Sequence, residues 1–132
     1  MKEKRIVGVL IDVEKEMVGQ VEIPNDLDAF YKVLNCGCID IVTRRIGDSK
    51  KAYDIVCDDE GLLKETQKIS AVDSAGNAQL VGNIFITGMA DAEGNLTSMP
   101  MDEANYILAK VRMARTEKFE NLYPVLTQCE YA

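Results

Sequence analysis

Histidine is absent from this chain of 132 residues, and several signatures of catalysis are absent with it. The chain therefore lacks the side chain that most often serves as a general base. It has no serine in a nucleophile elbow, no G-x-x-x-x-G-K-[ST] phosphate loop and no G-x-G-x-x-G turn after a strand. The adjacent carboxylates Asp58 and Asp59 would point to opposite faces of a strand and not to one substrate. We therefore expect a binding protein rather than an enzyme.

The spacing of the cysteines does not suit a metal site. Cys36 and Cys38 form a C-x-C pair, whereas a zinc site typically draws on C-x-x-C pairs or on histidine. The acidic run at residues 58–61 lacks the spacing and the distal glutamate of a calcium loop. We expect no metal and no cofactor, with Cys57 buried as a small apolar residue.

Long apolar runs are also missing. No stretch of 18 apolar residues occurs, and the start of the chain has the pattern of neither a signal peptide nor a transit peptide. The 22 acidic and 15 basic residues give a net charge of −7, which argues against general binding of DNA, RNA or anionic membranes. We expect a cytoplasmic protein with a single domain at residues 1–132.

Short runs of β-branched residues are abundant and predict most of the fold. Alternating or continuous apolar patterns, bounded by turn residues, indicate antiparallel hairpins. The predicted strands are residues 5–13, 17–23, 39–46, 52–57 and 80–88. The tail from Phe119 to Ala132 is expected to be extended and to pack on the core or on a neighbouring subunit. Residues 62–69 are compatible with a short helix or with an extended connector.

Two helices are predicted beside these strands. The first begins with Asn25 as its N-cap and runs to Leu34, with apolar residues at helical spacing. The second and longest begins at Pro100 and becomes cationic at its end. Its cations are Lys110, Arg112, Arg115 and Lys118. The sequence thus predicts an α+β fold, a β-rich antiparallel sheet or partly closed barrel decorated by two main helices.

The run from Leu80 to Gly88 is expected to be the central strand. Its alternation places Ile84 and Ile86 on one face and Asn83 and Phe85 on the other. An amide beside an aromatic ring is suited to the floor of a pocket, although a phenylalanine on a strand is more commonly part of the core.

These strand motifs carry a resemblance to a known family. The runs are Ile6–Val13, Leu34–Cys36, Cys38–Val42, Tyr53–Leu62 and Leu80–Ile86. They resemble small phage and prophage proteins of Firmicutes, and the chain is similar, from about Arg5 to Arg115, to the first type of Thoeris anti-defence protein. Members of that family are sponges that assemble as homo-hexamers. They sequester cyclic ADP-ribose isomers made by TIR-domain immune sensors and, in a separate pocket, cyclic trinucleotides of CBASS immunity.

The resemblance implies a set of ligand-binding residues. Phe85 and Asn95 match the family's cyclic ADP-ribose pocket, in which the aromatic ring stacks on the ligand. Arg112 matches the arginine of the trinucleotide pocket, and Arg115 is a neighbouring candidate. A second family arginine, near the first helix, has no counterpart here. The resemblance therefore implies a cytoplasmic sponge in an infected bacterial host, active as a homo-oligomer that is expected to be a hexamer.

Two further classes stay open from the residues alone. An acidic phage protein of this size can inhibit a host nuclease by mimicking DNA, which requires a continuous carboxylate face. The acidic residues here are interspersed with basic ones, which weighs against mimicry. The other alternative is a structural domain of a mobile element.

Overall fold

The computed structural model describes residues 3–60, 68–116 and 119–132. In chain order the elements of this described part are β1 (Arg5–Asp12), β2 (Met17–Pro24), α1 (Leu27–Leu34), β3 (Ile39–Ile46), β4 (Lys51–Asp58), β5 (Ile69–Val72), β6 (Ala78–Val81), β7 (Ile84–Thr87), α2 (Met101–Leu108), β8 (Val111–Thr116), β9 (Phe119–Leu126) and β10 (Cys129–Tyr131). Neither of these helices is long and apolar enough to cross a membrane.

The strands form two open sheets. The first has six strands in the order β10-β3-β4-β7-β1-β2, and all of its neighbours are antiparallel. The second has four strands in the order β6-β5-β9-β8, antiparallel except between β5 and β9. The predicted α+β class is confirmed. Of the two predicted forms, an open sheet and a partly closed barrel, the structure has the open sheet.

The first sheet is covered on both faces. The β1 residue Ile6 packs with Phe30 and Leu34 of α1 on one face. On the other face Val9 and Ile11 pack with α2 and with the second sheet. This alternation follows from the two-residue period of a strand, which sends neighbouring side chains to opposite layers. The result is a three-layer molecule with α1 on one side and α2 with the second sheet on the other.

The predicted hairpin β1–β2 and the predicted pair β3–β4 are confirmed along their full length. The first helix is confirmed with a shifted cap. The carboxylate of Asp26, not the side chain of Asn25, accepts the hydrogen bond from the backbone N–H of Ala29, at 2.8 Å. Asn25 instead donates its side-chain amide to the carbonyl of Glu3, at 2.9 Å, which joins the helix entry to the start of β1.

The predicted central strand is divided into two strands. Gly82 has a φ of +84°, a conformation that glycine adopts without strain. The chain bends there, so β6 lies at an edge of the second sheet while β7 lies inside the first. Only Ile84 to Thr87 occupies the expected central position, and all four residues are buried.

The prediction of a long final helix is wrong beyond Leu108. Residues 111–116 form β8, which pairs with β9. The reason is that antiparallel pairing with the next strand of the chain outweighs the modest local helix propensity. The tail is extended as predicted. β9 is a strand of the second sheet, and β10 is a strand of the first. The ambiguous segment 62–69 lies outside the described residues except for its last two.

Candidate functional site

A cavity of about 530 Å³ lies where the β3–β4 turn meets the C-terminal strand. We call it the turn pocket. Its lining residues come from three separate parts of the chain: Arg45, Gly47, Asp48, Lys50, Ser74, Gln128, Glu130 and Tyr131. Ligand pockets for small molecules commonly have volumes of roughly 300 to 1,000 Å³. The turn pocket is therefore large enough for a nucleotide.

The aromatic residue that lines the pocket is Tyr131, and it is in contact with Arg44. Pairing of β10 with β3 sets Tyr131 opposite Arg44. The guanidinium carbon of Arg44 lies 4.5 Å from the centroid of the tyrosine ring, a cation–π contact that fixes one face of the ring. Tyr131 is still 71% exposed. The ring thus combines a supported face with a face open to a planar ligand.

Gln128 carries two features that are typical of functional positions. Its φ of 55° lies in the left-handed region, which is uncommon for a residue other than glycine. Its side-chain Oε1 is buried and has no hydrogen-bond partner among the described residues. Buried polar atoms are nearly always paired, so this unpaired acceptor beside the pocket is a group that a ligand can satisfy once the side chain turns toward it.

The turn that carries the pocket is held in place from α2. The backbone N–H of Ser49 donates to the hydroxyl of Tyr106 at 3.2 Å, and this hydrogen bond lowers the pKa of Tyr106. Gly47, at φ +79°, lies so close to Tyr106 that a Cβ would collide with the hydroxyl. The ammonium of Lys110 lies 3.7 Å from a carboxylate oxygen of Asp48. These contacts preorganise the turn before any ligand arrives.

Both signs of charge occur in the pocket, but the acidic groups are already engaged. A carboxylate oxygen of Glu130 accepts from the backbone N–H of Ser74 at 2.9 Å and from its hydroxyl at 2.6 Å. Arg45 and Lys50 are both exposed, and the Arg45 guanidinium donates to the Lys50 carbonyl at 2.9 Å. Both residues line the pocket, and their guanidinium and ammonium groups are suited to the binding of an anionic group.

Phe85 is placed in the core. Its side chain is fully buried, and its ring centroid lies 6.1 Å from that of Phe30 on α1. Gly8 on β1 leaves room for the ring, because a Cβ there would come within 2.8 Å of it. A ligand stacks on Phe85 only if this cluster opens, so the arrangement matches the core explanation rather than the stacking role.

Asn95 lies in the loop between β7 and α2 and is half-buried. Its backbone N–H donates to the carboxylate of Asp91 at 3.0 Å, and its carbonyl accepts from the N–H of Asp91 at 2.9 Å. The hydrogen bond from Asn95 is the main reason that the pKa of Asp91 is lowered. The loop is tied to the sheet by the buried carboxylate of Asp54, which accepts from the N–H of Ala90 at 2.7 Å. Asn95 therefore shapes a compact loop and does not line the turn pocket.

Arg112 and Arg115 lie on β8 and not at the end of a helix. They are three residues apart on a strand, so their side chains leave opposite faces. Arg112 donates to the carbonyls of Ala109 and Val111, at 2.7 and 3.0 Å. Both arginines are exposed, and neither lines the turn pocket. The resemblance assigns Phe85 with Asn95 and Arg112 with Arg115 to two separate pockets, and none of the four residues lines the turn pocket.

A second cavity, of about 330 Å³, is lined by Asp40, Cys57, Asp58 and Asp59 among others. Burial is the main cause that raises the pKa of the Cys57 thiol to about 11, so this thiol stays protonated near neutral pH. Within the described ranges no group of three or more histidine, cysteine, aspartate or glutamate side chains is placed to hold a metal ion.

Comparison with known protein families gives a match over most of the chain. A family model matches residues 5–112. The chain belongs to the family described as a domain of unknown function, DUF3846. No curated protein and no solved structure matches the chain significantly. The DUF3846 match includes Arg45 and Lys50 of the turn pocket but ends before Gln128 and Tyr131.

Sequence reasoning missed the residues of the turn pocket. The dipeptide Arg44-Arg45 was the available signal, because it places adjacent cations beside the predicted turn that begins at Gly47. Tyr131 and Gln128 had no comparable signal. Their role depends on the pairing of β10 with β3, which joins segments more than 80 residues apart in the chain.

Proposed function

We propose that this protein is a sponge that binds small nucleotide signals in the turn pocket and holds them intact. The ligand class that we propose is the cyclic ADP-ribose isomers, which the resemblance to Thoeris anti-defence proteins implies. The protein would act in the cytoplasm of an infected bacterial host and lower the free concentration of the signal.

The chemistry of the turn pocket matches the parts of such a ligand. Adenine is a planar ring system and stacks on an aromatic face, here the open face of Tyr131. A pyrophosphate is a double anion and is bound by guanidinium and ammonium groups, here those of Arg45 and Lys50. Hydroxyl and amino groups donate hydrogen bonds, here to the side chain of Gln128.

The observation that carries the proposal is the buried, unpaired Oε1 of Gln128 in the wall beside an exposed tyrosine. An acceptor of this kind costs folding free energy until a donor reaches it. Its position on a left-handed residue adds a second local cost. A ligand that supplies a donor recovers the first of these costs, which favours binding.

The groups that the pocket offers support retention of the ligand without degradation. The chain contains no histidine, and the carboxylate of Glu130 already accepts two hydrogen bonds from Ser74. A general base must approach the proton that it removes and have a matched pKa. The pocket groups are suited to positioning a ligand and not to proton transfer.

The test is capture and release of cyclic ADP-ribose. The protein is incubated with the ligand, separated from free ligand by filtration and heated, and the released nucleotide is identified by chromatography. A sponge returns cyclic ADP-ribose unchanged. A hydrolysed product would show an enzyme, and failure to retain any cyclic ADP-ribose isomer would refute the proposal.

Variants locate the site in the same experiment. Tyr131→Ala is expected to weaken binding about tenfold or more, because stacking of a base on an aromatic ring contributes about 1 to 3 kcal/mol. Tyr31→Ala is the matched control, since Tyr31 lies on α1 and does not line the turn pocket. Equal loss in both variants would place the ligand elsewhere.

A further inference from the structure

The outer edge of β2 is open in the described part of the chain. β2 has eight residues and pairs with β1 over its whole length, and it is the last strand of its sheet. Outer strands present a row of backbone N–H and C=O groups to solvent, and proteins usually keep such strands short or charged. Here the edge is long and carries the exposed apolar residues Met17 and Val18.

A groove runs between the end of this edge and α1. Its cavity has a volume of about 480 Å³. Apolar side chains of Ile23, Ala29 and Val33 line it, and Val33 and Ile23 are only partly buried by the core beneath them. Leu27, at the start of α1, is 53% exposed. A strand edge beside an apolar groove under a helix is the arrangement that binds an extended peptide as an added strand.

The rim of the groove is predominantly acidic. Asp26 and Asp28 lie at the N-terminal end of α1, and Lys32 is the one basic residue that lines the cavity. One oxygen of Asp26 caps the helix at Ala29. Two carboxylates against one ammonium favour a ligand that brings positive charge, and the screening of such exposed charges makes the preference dependent on salt.

We propose that the β2 edge and the α1 groove bind an extended peptide of a partner protein that carries basic and apolar side chains on the same face, two positions apart. The peptide backbone adds as a strand to β2. An apolar side chain enters the groove at Ile23, Ala29 and Val33, and a lysine or arginine side chain reaches Asp26 and Asp28. This surface is separate from the turn pocket, because β2 and β10 form opposite edges of the same sheet.

The experiment measures binding of defined peptides by fluorescence anisotropy. The probe is a capped, fluorescein-labelled octapeptide in which valine and lysine take turns at every second position, on one face of the strand, and threonine fills the positions between them. One control peptide is N-methylated at all eight residues, which removes every backbone donor, and another replaces every lysine by glutamate. The proposal expects binding of the lysine peptide and at least about tenfold weaker binding of both controls. Equal binding of all three peptides, or of none, would overturn it.

Two variants assign the binding to this surface. Asp28→Lys is expected to weaken the lysine peptide about threefold to tenfold and to strengthen the glutamate peptide, because Asp28 is exposed and reversal of its charge leaves the fold intact. Lys15→Glu, on the exposed β1–β2 turn, is the matched control and should change neither affinity by that amount. A change of molecular mass in light scattering with Asp28→Lys, without a change in peptide affinity, would identify a contact between copies of the chain and overturn the proposal.

Discussion

Replacing Phe85 by alanine separates a role in the core from a role in ligand binding. The ring is fully buried and packs on Phe30 of α1. Truncation of a buried phenylalanine to alanine costs about 3 to 5 kcal/mol, because the side chain loses its transfer free energy and leaves a cavity. This is a large part of the roughly 5 to 15 kcal/mol that stabilises an ordinary domain. For a chain of this size we expect the melting temperature to fall by about 10 to 20 °C.

The assay combines thermal unfolding with titration of cyclic ADP-ribose. Tyr131→Ala is the matched control, because its ring is mostly exposed and its loss is expected to cost less than about 1 kcal/mol of stability. We expect Phe85→Ala to lower stability and to bind ligand normally at a temperature at which it is folded. A variant of Phe85 that melts like the unmodified protein but no longer binds ligand would refute this reasoning and restore the stacking role.

Three further predictions concern the loop, acid stability and assembly. Asp54→Ala removes the carboxylate that accepts the hydrogen bond from the N–H of Ala90. We expect the free energy of unfolding to fall by about 1 to 3 kcal/mol and the amide hydrogen of Ala90 to exchange faster. An unchanged exchange rate would contradict the role of Asp54 as an anchor of the loop. Hydrogen bonds lower the pKa of Asp91 below its ordinary value of 3.8, so its contribution to stability is present above roughly pH 4 and is lost as the pH falls through the lowered pKa. Asp91→Asn should therefore melt lower than the unmodified protein at pH 7, and the difference should shrink as the pH falls through the lowered pKa; a constant difference would argue against the mechanism. Light scattering should show the mass of a homo-oligomer, and we expect a symmetric hexamer; a monomer of 14.6 kDa at micromolar concentration would exclude it.

Local patterns in the sequence predicted the hairpins and the first helix well. The β1–β2 and β3–β4 pairs lie close together in the chain, so alternation and turn residues are enough to indicate them. The end of α2 was predicted wrongly because Lys110, Arg112 and Arg115 suit a helix end. The partner strand β9 begins directly after residues 117–118, so β8 and β9 are also neighbours in the chain, and the cationic pattern of a helix end concealed this pairing.

The candidate site was less predictable than the fold, because its contacts join segments that are far apart in the chain. The turn pocket requires β10 to pair with β3 and requires the turn at Ser74 to contact Glu130. Short-range patterns contain no information on such distant contacts. Phe85 was singled out because its strand has an amide and a ring side by side, and the structure shows why both are there. Asn83 donates to the carbonyl of Leu34 and accepts from the N–H of Val13, so it fixes α1 to the sheet.

The most direct test of the turn pocket is nuclear magnetic resonance of the ¹⁵N-labelled protein during titration with cyclic ADP-ribose. The amide signals report where the ligand binds without any substitution. The account predicts that the largest shifts fall at residues 45–50 and 128–131, with the side-chain amide of Gln128 among them. Shifts confined to the loop around Asn95 or to β8 at Arg112, or no shifts at saturating ligand, would contradict it.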